Sequence, residues 1–371
     1  MSSFYLDYAA ATPVGAQVVA AMQPFFSELF ANPSSLYSSA RVTRQALADA
    51  RASVANTLGA KPTEIIFTAG ATESINLAIQ GVMRKFPQGN IITTNIEHEA
   101  VLEVAKQFNH NAVAADDIIT SITDDTVMVS VMMANNEVGT ILPIKDLAAE
   151  IAKIRAARTN GLPLYLHTDA AQAATTLDLH VSRLGVDLLT LNGGKMYGPK
   201  QSGILYVRTG TELESLMYGG GQERGLRSGT ENVAFAVGFA KALELAQSGR
   251  KDEAHRLQQL RDQLQRELVR AIPELIINGD QRHRLPHNLN ITLPGLDGEA
   301  AVLYLDNAGV QASTGSACSI GSDQPSHVLL ALGCTPDEAN ASLRFTLGKN
   351  TTEQDTTKAA KIIIETLRHL A

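Results

Sequence analysis

Short apolar runs recur through the first half of the chain, separated by longer stretches in which apolar positions return every third or fourth residue. Glu64-Ile65-Ile66-Phe67-Thr68, Asn90-Ile91-Ile92-Thr93-Thr94, the run from Thr126 to Met132, the run from Leu164 to Thr168, Leu188-Leu189-Thr190-Leu191 and Gly203-Ile204-Leu205-Tyr206-Val207 read as buried strands. Between them, segments such as Lys145 to Arg158 carry helical spacing. Strands alternating with helices predict an α/β fold with a mostly parallel central sheet covered on both faces. From about Gln222 the pattern changes. A charged, Leu-rich segment from about Ala234 to Ala271 has helical periodicity and reads as a bridge between two domains. After it come strand-like pieces at Asn288-Leu289-Asn290-Ile291-Thr292 and Leu343-Arg344-Phe345-Thr346-Leu347, then an amphipathic helix from Glu353 to Leu370. The pattern predicts a large domain over 15–250 and a smaller α+β domain built from 1–14 and 251–371.

Composition narrows the picture. A chain of 371 residues is long for one small domain and short for three. A hydrophobic share of 44 % with 19 % charged residues is that of a soluble globular protein with a large core. The net charge of −7 leaves no basic excess to neutralise phosphates, so nucleic acid is not an expected partner. Two cysteines, Cys318 and Cys334, cannot make a disulfide framework, which points to a reducing compartment. The first residues lack a basic stretch followed by a long apolar run, and no uncharged apolar stretch approaches the roughly 18 residues of a membrane span. A cytoplasmic protein with no membrane association is the expectation, and no metal ion is expected.

Five motifs carry candidate chemistry. Ala69-Gly70-Ala71-Thr72-Glu73-Ser74 follows a strand and opens a helix. Small residues there let backbone N–H groups approach an anion at a helix N-terminus, and Thr72 adds a hydroxyl, although the same residues also make a plain helix cap. In Asn192-Gly193-Gly194-Lys195-Met196-Tyr197-Gly198-Pro199-Lys200, a lysine flanked by glycines follows a buried strand. That setting suits a Schiff-base lysine reaching a cofactor carbonyl, and equally a solvated loop lysine. Asp169, in His167-Thr168-Asp169-Ala170-Ala171-Gln172, lies at the C-terminal end of an apolar strand, where α/β sheets bind ligands. An acid there can keep a pyridinium nitrogen protonated, or cap the next helix. His98 lies just past another strand and can stack on a ring and move protons, or cap and pack. Finally, Ser313-Thr314-Gly315-Ser316-Ala317-Cys318-Ser319-Ile320-Gly321-Ser322 is small, polar and glycine-bearing, the composition of a mobile surface loop. A cysteine in such a loop is accessible to act as a nucleophile, whereas Cys334, at an apparent helix end, reads as structural.

In this order the motifs are similar to those of the NifS/IscS-type cysteine desulfurases, pyridoxal-phosphate (PLP) enzymes of fold type I within the class V aminotransferases. The resemblance runs over nearly the whole chain. It begins at Tyr5-Leu6-Asp7-Tyr8-Ala9-Ala10-Ala11-Thr12-Pro13 and continues through Asn32-Pro33-Ser34-Ser35 and Gly70-Ala71-Thr72-Glu73-Ser74. It takes in Asn135-Asn136-Glu137-Val138-Gly139, Asp169 with Gln172, the lysine loop, and the segment from Gly219 to Thr230. It ends with the cysteine loop and Ser342-Leu343-Arg344-Phe345.

The resemblance implies a role for each matched residue. Lys195 anchors PLP through a Schiff base, Asp169 pairs with the pyridine nitrogen, Gln172 bonds the ring oxygen and His98 stacks on the ring. Ala71 and Thr72 bind the phosphate, joined by Asn192 and by Thr230 of a second subunit in a homodimer. Asn136 and Arg344 hold the carboxylate of L-cysteine, Arg344 as a bidentate fork, and Asn136 also counts among the residues that bind the cofactor. Cys318 takes the substrate sulfur as a persulfide, releasing L-alanine, and passes it to an acceptor protein such as an iron–sulfur scaffold.

The chain departs from the family pattern in places. Asn192-Gly193-Gly194 stands where Ser-Gly-His is common, so Gly194 offers only its backbone to the phosphate. The histidine often found soon after Asn-Pro-Ser-Ser is absent around Leu36-Tyr37, and the extra C-terminal tail of scaffold-partnered members is missing. Competing expectations are a selenocysteine lyase, another lyase or transaminase of this fold, or a non-catalytic binding module. The Cys318 loop speaks against a transaminase, and the set of Lys195, Asp169 and Cys318 against the module.

Overall fold

The computed structural model describes residues 3–314 and 324–370. After a short strand β1 (Phe4–Tyr5), seven strands form one sheet: β2 (Ile65–Thr68), β3 (Asn90–Thr94), β4 (His110–Val113), β5 (Thr126–Ser130), β6 (Tyr165–Asp169), β7 (Leu188–Asn192) and β8 (Gly203–Val207). Their order is β2-β8-β7-β6-β5-β3-β4. From β7 to β4 all neighbours are parallel, and β8 is antiparallel to both β7 and β2. With β8 inverted between them, β2 and β7 point the same way. The C-terminal ends of β2, β3, β5, β6 and β7 therefore share one edge of the sheet, the edge at which open α/β sheets bind ligands.

The apolar runs become strands because helices cover the sheet. Every residue of β5 and β8 is buried. The helix Ala71–Lys85 supplies part of that cover through Ile75, Ile79, Val82 and Met83. Strand β4 escaped the sequence pattern. It lies at the sheet's margin, its two central residues are exposed, and the sequence His110-Asn111-Ala112-Val113 has no apolar run to mark it.

The chain divides into two compact units. One, residues 12–133 and 142–249, contains the seven-stranded sheet. The other comprises 1–11, 134–141 and 250–371. It contains β9 (Ile276–Ile277), β10 (Asn288–Thr292), β11 (Val310–Gln311) and β12 (Ser342–Thr346), with a sheet ordered β12-β10-β9 and β1 paired to β11. Its core joins Leu257, Leu264 and Leu268 of the helix Arg250–Ala271 to Ile291, Phe345, Ile363 and Leu367.

Two expectations need correction. The helical stretch expected as one piece from Ala234 to Ala271 is two helices, Val233–Ser248 and Arg250–Ala271, and the unit boundary falls at Gly249 between them. Glycine is a poor residue for a helix interior, which favours a break there. Residues 134–141, expected in the large domain, belong with the other unit. Their backbone is satisfied there: Ile141 N donates to His283 O at 2.8 Å, Leu285 N donates to Gly139 O at 2.8 Å, and Asn288 and Asn290 both donate to Glu137 O at 3.2 Å. Among the described residues no helix is long and apolar enough to cross a membrane.

Candidate active site

Each polar residue of interest in the sheet-bearing unit follows a different strand end. β2 ends at Thr68, and the chain turns through Gly70 into the helix Ala71–Lys85. A Cβ on Gly203, at the start of β8, would lie 2.7 Å from Gly70 Cα and 2.8 Å from Leu191 O, so the close approach of backbones requires glycine. Gly203 pairs with Thr68 on one side and Asn192 on the other, placing the turn and the lysine loop on either flank of β8. Thr68 Oγ1 and Ser74 Oγ, 2.7 Å apart, close the turn from within. Ala71 and Thr72 open the helix, Thr72 is exposed, and Gly70 supplies no side-chain cap. Helical N–H groups left in this way make an anion site.

After β3, His98 caps the helix Glu99–Ala105, its Nδ1 accepting from Ala100 N at 3.0 Å. In the neutral ring the proton is then on Nε2. The capping role weighed for His98 from the sequence is therefore present in the structure. Beside it, Glu97 is wholly buried; its Oε1 accepts from Thr94 Oγ1 at 2.6 Å and Met132 N at 2.8 Å. Burial pushes this carboxyl up to about 8, against the pull of those two hydrogen bonds.

Asp169 ends β6, and its Oδ1 accepts from Ala171 N at 2.9 Å. Burial raises its carboxyl, while the Ala171 N–H and the nearby His98 and Lys195 side chains pull it back down. The structure therefore brings Asp169, His98 and Lys195, from three strand ends, within electrostatic reach of one another. Beneath Asp169, on the same face of β6, the buried His167 spans three strands. Its Nδ1 lies 2.8 Å from Ser130 Oγ in β5 and its Nε2 3.0 Å from Thr190 Oγ1 in β7. Burial holds this imidazole down at about 3, so it stays neutral and serves to register the strands.

β7 delivers the lysine loop. Asn192 Oδ1 accepts from Gly194 N at 3.1 Å, closing a single 3₁₀ turn over Gly193–Lys195. Gly194 O accepts from Thr12 N and Thr12 Oγ1, both at 3.1 Å. Both backbone groups of Gly194 are thus already bonded, which bears on its expected role toward the phosphate, and the side chain of Asn192 carries Nδ2 as a donor on this side. A Cβ on Gly194 would meet Lys200 Cγ at 3.4 Å and Asn192 Oδ1 at 3.6 Å, ordinary contact distances. Gln172 is half-buried in the turn after Asp169, and Thr230 is exposed.

Asn136 and Arg344 lie in the other unit. Arg344 is 2 % exposed, with Nη1 donating to Asn136 O at 3.0 Å and Nη2 to Asp7 Oδ1 at 2.8 Å. The expected fork is thus oriented by Asp7, and each terminal nitrogen carries a second N–H. Cys318 lies outside the described residues. Cys334 is half-buried, and burial raises its thiol, disfavouring the thiolate that nucleophilic attack needs.

His167 and Asp7 stand in the motifs without a role of their own, and Glu97, next to His98, was given none. Glu97 adjoins His98, but only the approach of β5 makes it a buried acid. The donor set fits PLP chemically: an amine for its aldehyde, an acid for its ring nitrogen, an imidazole beside that acid, and helical N–H groups for its phosphate.

Comparison with known proteins agrees in extent. The family model described as aminotransferase class-V matches residues 4–358. The cysteine desulfurase IscS of Dictyoglomus turgidum is 43 % identical, over 99 % of this chain and 96 % of that protein. The cysteine desulfurase IscS of Clostridium botulinum is also 43 % identical, over 95 % of this chain and 91 % of that protein. A solved NifS-like protein superposes with a TM-score of 0.91 at 34 % identity, covering 99 % of this chain and 100 % of that one.

Proposed function

The chain belongs to the class-V aminotransferase family of PLP-dependent enzymes, and we propose that it is a cysteine desulfurase acting as a homodimer in the cytoplasm. It removes sulfur from L-cysteine, giving L-alanine and a persulfide on Cys318, which an acceptor protein such as an iron–sulfur scaffold receives. The observation that carries this reading is the convergence of Lys195, Asp169 and His98 at one edge of the sheet.

Lys195 attaches the cofactor, and Asp169 holds the proton of its ring nitrogen. The charge of Asp169 is favoured by His98 and Lys195 despite its burial. Ala71, Thr72 and Asn192 donate to the phosphate, with Thr230 of the partner subunit, and Gln172 donates to the ring oxygen. The imidazole of His98, fixed by its bond from Ala100 N, stacks on the ring and presents Nε2 for proton transfer. Asn136 and Arg344 orient the substrate carboxylate, with Asp7 setting the guanidinium. Held by these residues, PLP would supply an electron sink for the substrate α-carbon. The Cys318 thiolate then attacks the substrate sulfur, an S–S bond forms as the C–S bond breaks, and the β-carbon gains a proton. Substrate thiol plus enzyme thiol give alanine plus enzyme persulfide, so the step balances with no external oxidant.

The direct test supplies L-cysteine to purified protein and measures alanine and protein-bound sulfur. A colourless protein that takes up no PLP overturns the proposal. A finer expectation concerns Gly194. A hydrogen bond to a charged group is worth roughly 1.5–3 kcal/mol, and a side chain at this position meets only ordinary contacts. Gly194→His should therefore slow cofactor loss on dialysis by about tenfold or more. Unchanged or faster loss would mean that the phosphate cup is complete with glycine.

A further inference from the structure

Two carboxylates tie the segment Gln222 to Thr230 in place, Glu223 to the strand that leads into the phosphate turn and Glu73 to the turn itself. Glu223, 7 % exposed, receives Arg51 as a fork, Nη2 to Oε1 at 2.6 Å and Nη1 to Oε2 at 2.7 Å. Its Oε2 also accepts from Phe67 N in β2 at 3.0 Å. Glu73, in the first turn of the helix Ala71–Lys85, accepts from Ala69 N through Oε2 at 2.7 Å and from Arg227 Nε through Oε1 at 2.8 Å. Glu223 and Arg224 have φ of 46° and 59°, two consecutive residues in a conformation that side chains disfavour. Such backbone persists where its surroundings over-determine it, as the bonds to Glu223 do here. Gly229 N donates to Gln222 Oε1 at 3.0 Å, closing the segment on itself just before the exposed Thr230. The turn expected to hold a subunit's own phosphate and the segment expected to serve its partner's phosphate are thus one bonded piece.

We infer that Glu73 and Glu223 are positioning residues that couple the two cofactor sites of a dimer, so that PLP loading is cooperative. The inference rests on the reading above that the protein is a homodimer in which Thr230 reaches the partner's phosphate. Phosphate on the turn of one subunit orders residues 69–73 and, through Glu73 and Arg227, the segment that completes the other subunit's cup. Coupling of this kind needs a physical connection between two sites that both ligands bias, and the paired carboxylates supply it.

The test is native mass spectrometry of the full-length protein, freed of cofactor and then loaded to half-saturation with PLP. Independent sites leave half of the dimers singly loaded. Coupling of about fivefold or more lowers that share to roughly a third or below, the result expected for the wild type. Glu73→Gln keeps an acceptor for Ala69 N and loses the charge that binds Arg227, and should return the share to one half. Arg227→Met, which cuts the same link from the other side, should do likewise. Wild-type dimers loaded independently, or either variant loading like the wild type, would overturn the coupling. Monomers alone in the wild-type spectrum would overturn the homodimer reading, and the inference with it.

Discussion

A Cys318→Ser variant is expected to release almost no alanine from L-cysteine while still binding PLP and changing its visible spectrum when cysteine is added. The cofactor can labilise a substrate proton without any protein thiol, because its ring takes up the charge. Sulfur, however, must pass to a nucleophile as its bond to carbon breaks. Serine keeps the size of cysteine and is a far weaker nucleophile at neutral pH. Removing the covalent nucleophile of an enzyme costs on the order of 10³-fold or more in turnover. Cys334→Ser is expected to be nearly normal, since burial disfavours the Cys334 thiolate. The wild-type peptide containing Cys318 should gain one sulfur by mass, which a reducing thiol removes. Alanine release by Cys318→Ser at close to the wild-type rate would leave the sulfur-transfer step without its acceptor.

Lys195→Ala should abolish the yellow colour of freshly reconstituted protein. The loop offers a second amine for comparison. Lys200 packs its stem over Gly194 and directs Nζ to Thr12 O at 3.3 Å, while the charge of Lys195 acts on Asp169. Covalent attachment therefore goes with Lys195, and Lys200→Ala should keep the colour. Without its anchor the cofactor is held only by phosphate and ring contacts, and dialysis should strip it. An unchanged visible band in Lys195→Ala, or its loss in Lys200→Ala instead, would move the anchor to another residue.

Strands were legible where burial wrote a continuous apolar run, as in Gly203–Val207, or a strict alternation, as in Asn288–Thr292. Gly203–Val207 and Asn288–Thr292 have the ends the pattern predicted. Strand β4 was not legible, because an edge strand that buries little needs little apolar sequence. The break at Gly249 was passed over because helical periodicity continues on both sides of it. In the candidate site, Lys195, Asp169 and His98 could be named because each follows a readable strand. Glu97 and Asp7 could not be given roles, because their partners, Met132 and Arg344, come from distant parts of the chain.

By itself the sequence determined the class of fold, the strand ends at which chemistry can occur, and, through the order of its motifs, the family. These depend on local periodicity and on residue types at short spacing, which the chain carries without folding. Only the tertiary structure decided which polar groups are already bonded. Gly194 N–H is taken by Asn192, Arg344 is oriented by Asp7, and Glu73 joins the phosphate turn to Arg227. Whether a donor is free for a ligand depends on side chains brought in from elsewhere, and burial raises the carboxyls of Asp169 and Glu97 only once neighbouring strands exclude water.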